Sequence, residues 1–242
     1  MIILLTGCIN PNGMSFTTLN NPRERREQYV AAINYYLTNS NYPIVFVENT
    51  GTDISEQFTS AIQSGRMEYL SFNGNKEKER GKGYGECEII QYALEHSKLI
   101  HSSKDKRIIK ITGRLIIQNF SLITKIHTII FSPKYVICKI SNDFTYADSR
   151  FVIAEADFYQ KFIKHKEMIN DTKGYYFEHA LCDTIKKEIF YSFTPFYIMP
   201  QIIGVSGSTG EVYLKKSQTI YSRLSYAKHA LYLKKQFNKL YR

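Results

Sequence analysis

The stretch Ile2-Ile3-Leu4-Leu5-Thr6-Gly7 decides the fold class of this chain. Its apolar part has no polar alternation, which is typical of a strand covered on both faces in a parallel sheet. Further short runs that favour strands occur at residues 43–47, 67–72 and 107–111. Between them, apolar residues recur at helical spacing. Strand and helix therefore alternate through the first half, which predicts an α/β fold with a mostly parallel sheet and right-handed crossovers.

The first intervening helix has a clear start signal. Asn21 is a typical N-cap residue, Pro22 suits the first helical position, and Glu24 completes a start that resembles a capping box. Later helices are predicted over residues 55–63 and 87–94. Each crossover thus has a helix of its own, as the connection of parallel strands requires.

The second half of the chain has a different order of predicted strands and helices. Strands are predicted at residues 135–140 and 150–154, and helices at 157–169 and 175–189. The stretch 192–210 contains Pro195, Pro200 and a run of Gly, Ser and Thr, and is expected to be mostly loop. No internal repeat or low-complexity linker divides the chain, so we expect one domain.

The net charge of the chain indicates which classes of molecule it can bind. The chain of 242 residues has 32 Lys and Arg against 22 Asp and Glu, a formal charge of +10, and a pI of about 9.3. Such a balance indicates an anionic partner, and nucleic acid, a nucleotide diphosphate and an anionic membrane surface all qualify. Because no RNA- or DNA-binding motif is recognisable, nucleic acid is the least favoured of the three.

Apolar runs and cysteines indicate the compartment. No run of about 18 apolar residues is present, so no transmembrane helix is expected, and the N-terminal apolar run is too short for a signal peptide. Cys8, Cys87, Cys138 and Cys182 lack metal-type spacing and lie in apolar segments, as reduced core thiols do. We therefore expect a cytoplasmic protein, peripheral at most on the inner face of the cell membrane.

Three polar clusters follow predicted strands. They are Thr6-Gly7-Cys8 with Asn10, Glu48-Asn49-Thr50-Gly51, and Thr112-Gly113-Arg114. In an open parallel sheet the ligand crevice lies beyond the carboxyl ends of the strands, so we expect these clusters to meet there. A strand-end Glu or Asn suits a ribose or a base edge. For any single cluster, a solvated loop is the alternative.

The segment Gly81-Lys82-Gly83-Tyr84-Gly85-Glu86 precedes a predicted helix. Glycines let the backbone approach a phosphate or sugar, Lys82 supplies positive charge, and a helix N-terminus favours anions. The spacing of a Walker P-loop is absent. A glycine-rich surface loop is the alternative interpretation.

The order of these elements resembles the GT-A glycosyltransferases, especially the large inverting family 2. Residues 83–94 stand where that family has a helix with small residues near the donor. Residues 107–114 stand where it has its central strand and acidic DxD motif. Residues 176–181 stand where it has a helix that carries the catalytic base. The short sequences KITGR, YADSR and FEHAL also resemble small bacterial capsule and O-antigen sugar transferases.

The resemblance implies an activity and a division of the chain. It implies a single glycosyltransferase domain over 1–242, with a nucleotide-sugar-binding half (1–120), an acceptor-side half (121–214) and a basic helical tail (215–242). The implied reaction moves a hexose from a nucleotide donor, UDP by default, to a lipid-linked oligosaccharide with inversion, in bacterial surface polysaccharide synthesis. A basic nucleic-acid-binding protein and another nucleotide-dependent transferase are the alternatives.

The chain departs from the family where DxD would hold a divalent metal. Thr112-Gly113-Arg114 stands there, and a planar, permanently charged guanidinium can itself neutralise a leaving diphosphate. Arg114 is therefore a catalytic candidate, and metal independence is expected. If the enzyme needs Mn²⁺ or Mg²⁺, Asp148 or Asp143 becomes the candidate ligand. A surface ion pair for the arginine and turn positions for the aspartates are the alternatives.

Inversion needs one base that deprotonates the acceptor hydroxyl. Glu178 is the first candidate, because it lies early in an amphipathic helix, and His179 beside it is the second. A carboxylate that only stabilises the helix N-terminus is the alternative. The donor-binding candidates are Thr6, Gly7, Asn10, Glu48, Asn49, Lys82, Gly83 and Asp148.

Two further segments are predicted to serve the substrates. The Gly, Ser and Thr run over residues 204–210 can order over the donor, or form a simple turn. Residues 215–242 contain eight Lys or Arg, no Asp or Glu, and several Tyr, which suits an anionic membrane surface that presents a lipid-linked acceptor. A solvated basic helix is the alternative.

Overall fold

The computed structural model describes residues 1–213 and 219–242. The strands within these ranges are β1 (Ile2–Gly7), β2 (Ile44–Glu48), β3 (Met67–Ser71), β4 (Arg107–Thr112), β5 (Ile116–Ile117), β6 (Tyr135–Ile137), β7 (Phe151–Glu155), β8 (Ser192–Thr194), β9 (Ile202–Val205) and β10 (Val212–Tyr213). The α-helices are α1 (Pro22–Asn39), α2 (Thr59–Gln63), α3 (Lys82–His96), α4 (Lys98–Ser102), α5 (Phe120–Ile130), α6 (Ala156–Phe162), α7 (Phe177–Lys187) and α8 (Ile220–Tyr241).

Seven strands form one mixed sheet in the order β3-β2-β1-β4-β7-β6-β8. β1 pairs in parallel with β2 and β4, and β2 pairs in parallel with β3. β7 runs antiparallel to both β4 and β6, whereas β6 and β8 are parallel. The predicted α/β fold with a mostly parallel sheet is confirmed. A small antiparallel sheet, β10-β9-β5, lies beside it.

Helices cover both faces of the main sheet, so alternate residues of β1 enter different cores. Leu4 lies in a cluster with apolar side chains of α3, α6, α7 and α8. Leu5 lies in the opposite cluster with α1 and α5. Every residue of β1 is buried, which is the burial that its unbroken apolar sequence predicts.

Several boundaries differ from the sequence-based prediction. The helix expected over 157–169 is α-helical only to Phe162 and continues as a 3₁₀ segment, Ile163–Met168. The helix expected over 55–63 also begins as a 3₁₀ turn, Ser55–Phe58. The strand expected over 135–140 ends at Ile137. α5 and the strands β8 and β9 were not predicted, and the latter two fall in the stretch expected to be loop.

The C-terminal tail is helical, as predicted, over α8. The prediction for residues 215–218 lies outside the described residues. α8 packs against the edge strand β8, and Leu233 and Phe237 are buried in the same core as α3 and α7. No helix within 1–213 and 219–242 is long and apolar enough to cross a lipid bilayer.

Candidate functional site

A cleft opens at the carboxyl ends of β1 and β4. It has two adjoining lobes, which share lining residues from α3, the end of β4 and the β9–β10 hairpin. The inner lobe includes Thr6, Gly7, Cys8, Arg25, Tyr29 and Asn49. The outer lobe includes Tyr146, Asp148, Ser149, Arg150, Glu178 and Tyr213. The shared residues are Lys82, Glu86, Thr112, Arg114 and Gly207.

The two strand ends of the cleft are held together closely. Thr6 and Thr112 are register partners on β1 and β4, and the N–H of Gly113 donates to the Thr6 carbonyl at 3.0 Å. A Cβ at position 113 would come within 2.6 Å of that carbonyl oxygen, so only glycine fits without a backbone shift. The next residue after this close approach, Arg114, lines the cleft.

Arg114 is the most buried cation that both lobes share. It is only 6% exposed, and its Nη1 donates to Gln28 Oε1 at 2.8 Å and to the Val205 carbonyl at 3.1 Å. Its Nε is buried and has no hydrogen-bond partner in the described part of the chain. A buried donor without a partner is costly, so Arg114 keeps hydrogen-bonding capacity that its protein neighbours do not use.

Two further cations line the cleft. The Nζ of Lys82 donates to Ser208 Oγ at the tip of the β9–β10 hairpin, and Arg25 Nε donates to the Cys8 carbonyl at 2.7 Å. Within residues 1–213 and 219–242, neither of them nor Arg114 forms an ion pair with a carboxylate. The cleft therefore holds three cations that form no ion pair with an acid of the described chain.

A buried ion pair lies at the floor of the cleft. Lys110 has no exposed surface, and its Nζ lies 2.5 Å from Glu86 Oε1, whose side chain is 18% exposed. The hydroxyls of Thr6 and Thr112 donate to the same oxygen at 2.9 and 3.3 Å. Burial alone raises the pKa of Glu86, but the ammonium of Lys110 outweighs it and the pKa lies below its ordinary value.

The sequence analysis missed Glu86 as a site residue, along with Arg25 and Arg150. A signal was available for Glu86, because Lys110 interrupts the apolar pattern of a central strand. A charge at such a position is tolerated only with an opposite charge beside it, so its presence predicts a buried acid on a neighbouring helix.

Asp148 lies in the outer lobe, paired with Arg150. The Nε and Nη2 atoms of Arg150 lie 2.8 and 2.5 Å from the two carboxylate oxygens. Burial raises the pKa of Asp148. The two-pronged contact with Arg150 lowers the pKa by a larger amount, so the pKa lies below its ordinary value. Asp143 lies elsewhere, in an exposed turn where its carboxylate accepts from Ser141 and Thr145. It does not line the cleft.

Glu178 lies in the first turn of α7 and faces the outer lobe. Its Oε1 accepts from the Ser149 hydroxyl at 2.7 Å. Burial and the charge of Glu178 raise the pKa of Tyr146 above its ordinary range. His179 does not line either lobe, because its Nδ1 turns back to accept from the Tyr176 N–H and caps the helix.

Three other predicted site residues lie outside the cleft lining. Glu48 is fully buried and its carboxylate holds its own loop together by accepting from three backbone N–H groups, those of Ile9, Thr50 and Thr52. Asn10 is exposed beyond that loop. Gly83 is covered by Asp171, whose Oδ2 accepts from its N–H at 3.1 Å. These positions support the cleft from behind.

The acids of the cleft do not make up a metal site of protein ligands. Glu86 is paired with Lys110 and Asp148 with Arg150, while Glu178 accepts from a serine hydroxyl. No group of three His, Cys, Asp or Glu residues suited to a metal occurs among the described residues. One carboxylate together with substrate phosphates is the arrangement in which Mg²⁺ is commonly bound. Both oxygens of Asp148 contact Arg150, so Asp148 would have to exchange this partner to take part in such a site.

No protein-family model and no curated protein matches this chain. Solved structures similar to it include a cytidylyltransferase from Leptospira borgpetersenii serovar Hardjo-bovis. The two chains are 11% identical, the match covers 96% of this chain and 87% of that chain, and the TM-score is 0.46. The mannosyltransferase Ktr4p from S. cerevisiae has 11% identity over 89% of this chain and 72% of that chain, with a TM-score of 0.44. Core-mannan synthase A from Aspergillus fumigatus, in its Mn/GDP form, has 10% identity over 95% and 85%, with a TM-score of 0.40. Similarity of this degree carries no inference about what this chain binds.

Proposed function

We propose that the chain is a glycosyltransferase whose cleft binds a nucleoside diphosphate sugar. One observation carries the proposal: three cations of the cleft, Arg25, Lys82 and Arg114, lie at the carboxyl edge of the parallel strands and form no ion pair with a described acid. Unpaired charges in a shielded cleft favour an anionic ligand. A diphosphate supplies several negative charges within the width of one such cleft, and the sheet edge is where nucleotides bind in open α/β folds.

Arg114 is proposed to hold the diphosphate that leaves. Its free Nε lies in a shielded part of the cleft, where a charge-assisted hydrogen bond to a phosphate oxygen is stronger than in water. Negative charge on the diphosphate is largest in the transition state, so this contact lowers the barrier more than it strengthens substrate binding.

Glu178 is proposed as the base. The acceptor hydroxyl gives its proton to Glu178 while its oxygen attacks the anomeric carbon from the face opposite the diphosphate. The bond between that carbon and the diphosphate oxygen breaks, and its electron pair leaves with the diphosphate. Ser149 fixes the orientation of the carboxylate through its hydrogen bond, and Glu178 lines the outer lobe.

The donor and the acceptor are proposed from the resemblance to small capsule and O-antigen sugar transferases. The donor is a UDP-hexose, with galactose as the default sugar, and Thr6, Gly7, Asn49 and Lys82 are its binding residues in the inner lobe. The acceptor is a lipid-linked oligosaccharide used for a bacterial surface polysaccharide. It enters through the outer lobe, beside Glu178.

The exposed face of α8 is proposed to bind the membrane surface that presents this acceptor. Tyr221, Leu224 and Leu231 are exposed on it, with Lys228 and Lys235 beside them at helical spacing. A helix with exposed apolar and basic residues on one side lies at the interface of an anionic bilayer. The opposite side of α8 is buried in the protein core, so only this face is free to do so.

The test is calorimetry followed by a product assay. The chain should bind UDP and UDP-galactose, and Arg114→Ala should weaken that binding by less than it lowers turnover. Absence of binding by any nucleoside diphosphate at millimolar concentration would rule the proposal out. With a lipid-linked acceptor, a glycosyltransferase releases UDP. A nucleotidyltransferase, which the same cations would also serve, consumes a nucleoside triphosphate with a sugar phosphate and releases pyrophosphate. The identity of the released product therefore decides between the two classes.

A further inference from the structure

The carboxylate of Glu86 has one saturated and one open oxygen. Oε1 receives Lys110 Nζ at 2.5 Å and the hydroxyls of Thr6 and Thr112 at 2.9 and 3.3 Å. Among the described residues, Oε2 accepts no hydrogen bond. Since an ionised carboxylate has about four acceptor positions, the side of Glu86 that faces the cleft is available to a ligand.

The strand register explains why this carboxylate is fixed. Thr6 and Thr112 lie opposite each other at the ends of β1 and β4, and Lys110 lies two residues before Thr112, on the same face of β4. All three therefore point toward the first turns of α3, where Glu86 lies. The ion pair with Lys110 keeps Glu86 ionised, because its pKa is lowered in spite of burial.

The position of Glu86 limits what its open oxygen can bind. It lines both lobes together with Lys82 and Arg114, the cations assigned above to the diphosphate. A phosphate or carboxylate placed against Glu86 would be repelled. The part of the ligand that reaches it must therefore be neutral and must donate hydrogen bonds. In a nucleoside diphosphate sugar, the groups next to the diphosphate that meet both conditions are the hydroxyls of the ribose and of the sugar.

We infer that Glu86 binds a pair of neighbouring hydroxyls of the donor, on the transferred sugar or on the ribose. If they belong to the transferred sugar, Glu86 also selects a neutral sugar over a sugar acid. This inference rests on the proposed function. Hydrogen bonds to an ionised acceptor are about twice as strong as neutral ones, and a site built to receive hydroxyls rejects analogues that lack them. Glu86 is thus a specificity residue, separate from the base and from the cations.

The test compares four probes on four proteins. The probes are UDP, 2′-deoxy-UDP, UDP-galactose and UDP-galacturonic acid, and binding is measured by calorimetry. The proteins are the wild type, Glu86→Gln, the double variant Glu86→Gln/Lys110→Met, and Glu95→Gln as a control on the exposed side of the same helix. The double variant removes the buried charge that Glu86→Gln leaves without a partner, so a loss of folding in the single variant does not end the test.

Two results support the inference. If the hydroxyls belong to the sugar, Glu86→Gln and the double variant lose about tenfold or more in affinity for UDP-galactose, keep their affinity for UDP, and gain affinity for UDP-galacturonic acid. If they belong to the ribose, both variants lose affinity for UDP and UDP-galactose but not for 2′-deoxy-UDP. Glu95→Gln should match the wild type on all four probes.

Equal losses on UDP, 2′-deoxy-UDP and UDP-galactose, or no loss on any, would overturn the inference while leaving the proposed function intact. Failure of the wild type to bind any of the four probes, or any other nucleoside diphosphate at millimolar concentration, would overturn both. The two failures are therefore distinguishable in one experiment.

Discussion

Gly207 lies directly against the guanidinium of Arg114. A Cβ at position 207 would come within 2.6 Å of Arg114 Nη2, which is closer than two such atoms approach in proteins. Gly207 stands at the tip of the β9–β10 hairpin and lines both lobes of the cleft. Its carbonyl also accepts from the N–H of Thr18 at 3.0 Å, so the hairpin tip is held over the cleft from the far side.

Gly207→Ala should therefore weaken nucleotide binding. The added methyl displaces the guanidinium of Arg114, and we expect affinity for UDP to fall about tenfold, as for the loss of one charged hydrogen bond. Calorimetry measures the affinity, and thermal unfolding should show little change. Glu211→Gln, at an exposed position of the same hairpin, is the control. Unchanged UDP affinity would mean that Arg114 moves aside at no cost or does not contact the nucleotide.

Arg114→Lys should lower turnover by about 10²-fold or more, although it keeps the charge. An ammonium has its donors on one nitrogen and does not reproduce the planar fork with which the guanidinium contacts Gln28, Val205 and a phosphate oxygen from different nitrogens. Arg114→Ala should be worse, mostly in turnover. Arg23→Lys, in an exposed pair with Glu27, is the matched control.

Activity is expected to survive EDTA if Arg114 replaces a divalent ion. The measurement is the rate of UDP release with EDTA, and with Mn²⁺ or Mg²⁺ added back. If EDTA abolishes activity and Mn²⁺ restores it, Asp148 becomes the metal ligand to test, because of the two predicted ligands, Asp148 and Asp143, it is the one that lines the outer lobe. Arg114 would then lose its assigned part in catalysis.

Glu178→Gln should lower turnover by at least about 10²-fold with little change in UDP affinity, because an amide keeps the shape but takes no proton. His179→Gln should cost much less, since His179 caps α7 and does not line the cleft. Initial rates of UDP release at saturating donor measure both. Near-normal turnover of Glu178→Gln would leave Glu178 as a helix-start carboxylate.

The pair of Lys110 and Glu86 should make stability depend on pH. The pKa of Glu86 in the fold lies below its ordinary value of 4.5. A group whose pKa is lowered by folding stabilises the fold at pH values above its pKa in the unfolded chain. This contribution is lost as the pH falls through its pKa in the folded protein. At pH 7, Glu86→Gln should cost about 3–5 kcal/mol of unfolding free energy, because Lys110 is left buried and unpaired.

That difference should shrink as the pH falls below 4.5, the ordinary value, and through the lowered pKa of Glu86 in the fold. Urea unfolding of both proteins at pH 7, 5 and 3.5 measures it, with Glu95→Gln as a control that should show no such trend. A difference that stays constant with pH would show that the ion pair is not what Glu86 contributes.

Removing the exposed charges of α8 should weaken binding to anionic vesicles. We expect the triple change of Lys228, Lys235 and Lys239 to Gln to lower binding by about 10²-fold, at roughly 1 kcal/mol for each cation. UDP binding should stay unchanged. Point changes are preferable to truncation, because removing α8 would take Phe237 out of the core. Co-sedimentation with phosphatidylserine vesicles in low salt is the measurement.

The control for this comparison removes three exposed lysines elsewhere, Lys98, Lys104 and Lys173. If both triple variants bind vesicles equally well, net charge rather than α8 governs the association. The membrane proposal would then be abandoned.

Local signals in the sequence were sufficient for the first half of the fold. Asn21 caps α1 by accepting from the N–H of Arg23 at 3.0 Å, and Pro22 is the first residue of that helix, as predicted. The predicted strands at 2–5 and 107–111 lie side by side in parallel. Capping and burial on both faces depend on residues close in the chain, so a local pattern records them.

The second half of the fold was harder to predict from the sequence, because its short strands are defined by pairing with strands far away in the chain. β8 has three residues and owes its place to pairing with β6. β9 pairs with β5 and β10, two strands of two residues each. Runs of this length carry too few side chains for a periodic pattern, so only the assembled sheets define them.

For the cleft, the sequence by itself determined that polar clusters follow the strands and that those ends share one edge of the sheet. Only the tertiary structure decided which side chains enter the cleft. Glu48 follows β2 yet turns inward to three backbone N–H groups, while Glu86 on α3 reaches Lys110 and faces the cleft. A carboxylate turns toward the donors that satisfy it, and these donors come from segments far apart in the chain, so no local pattern fixes its direction.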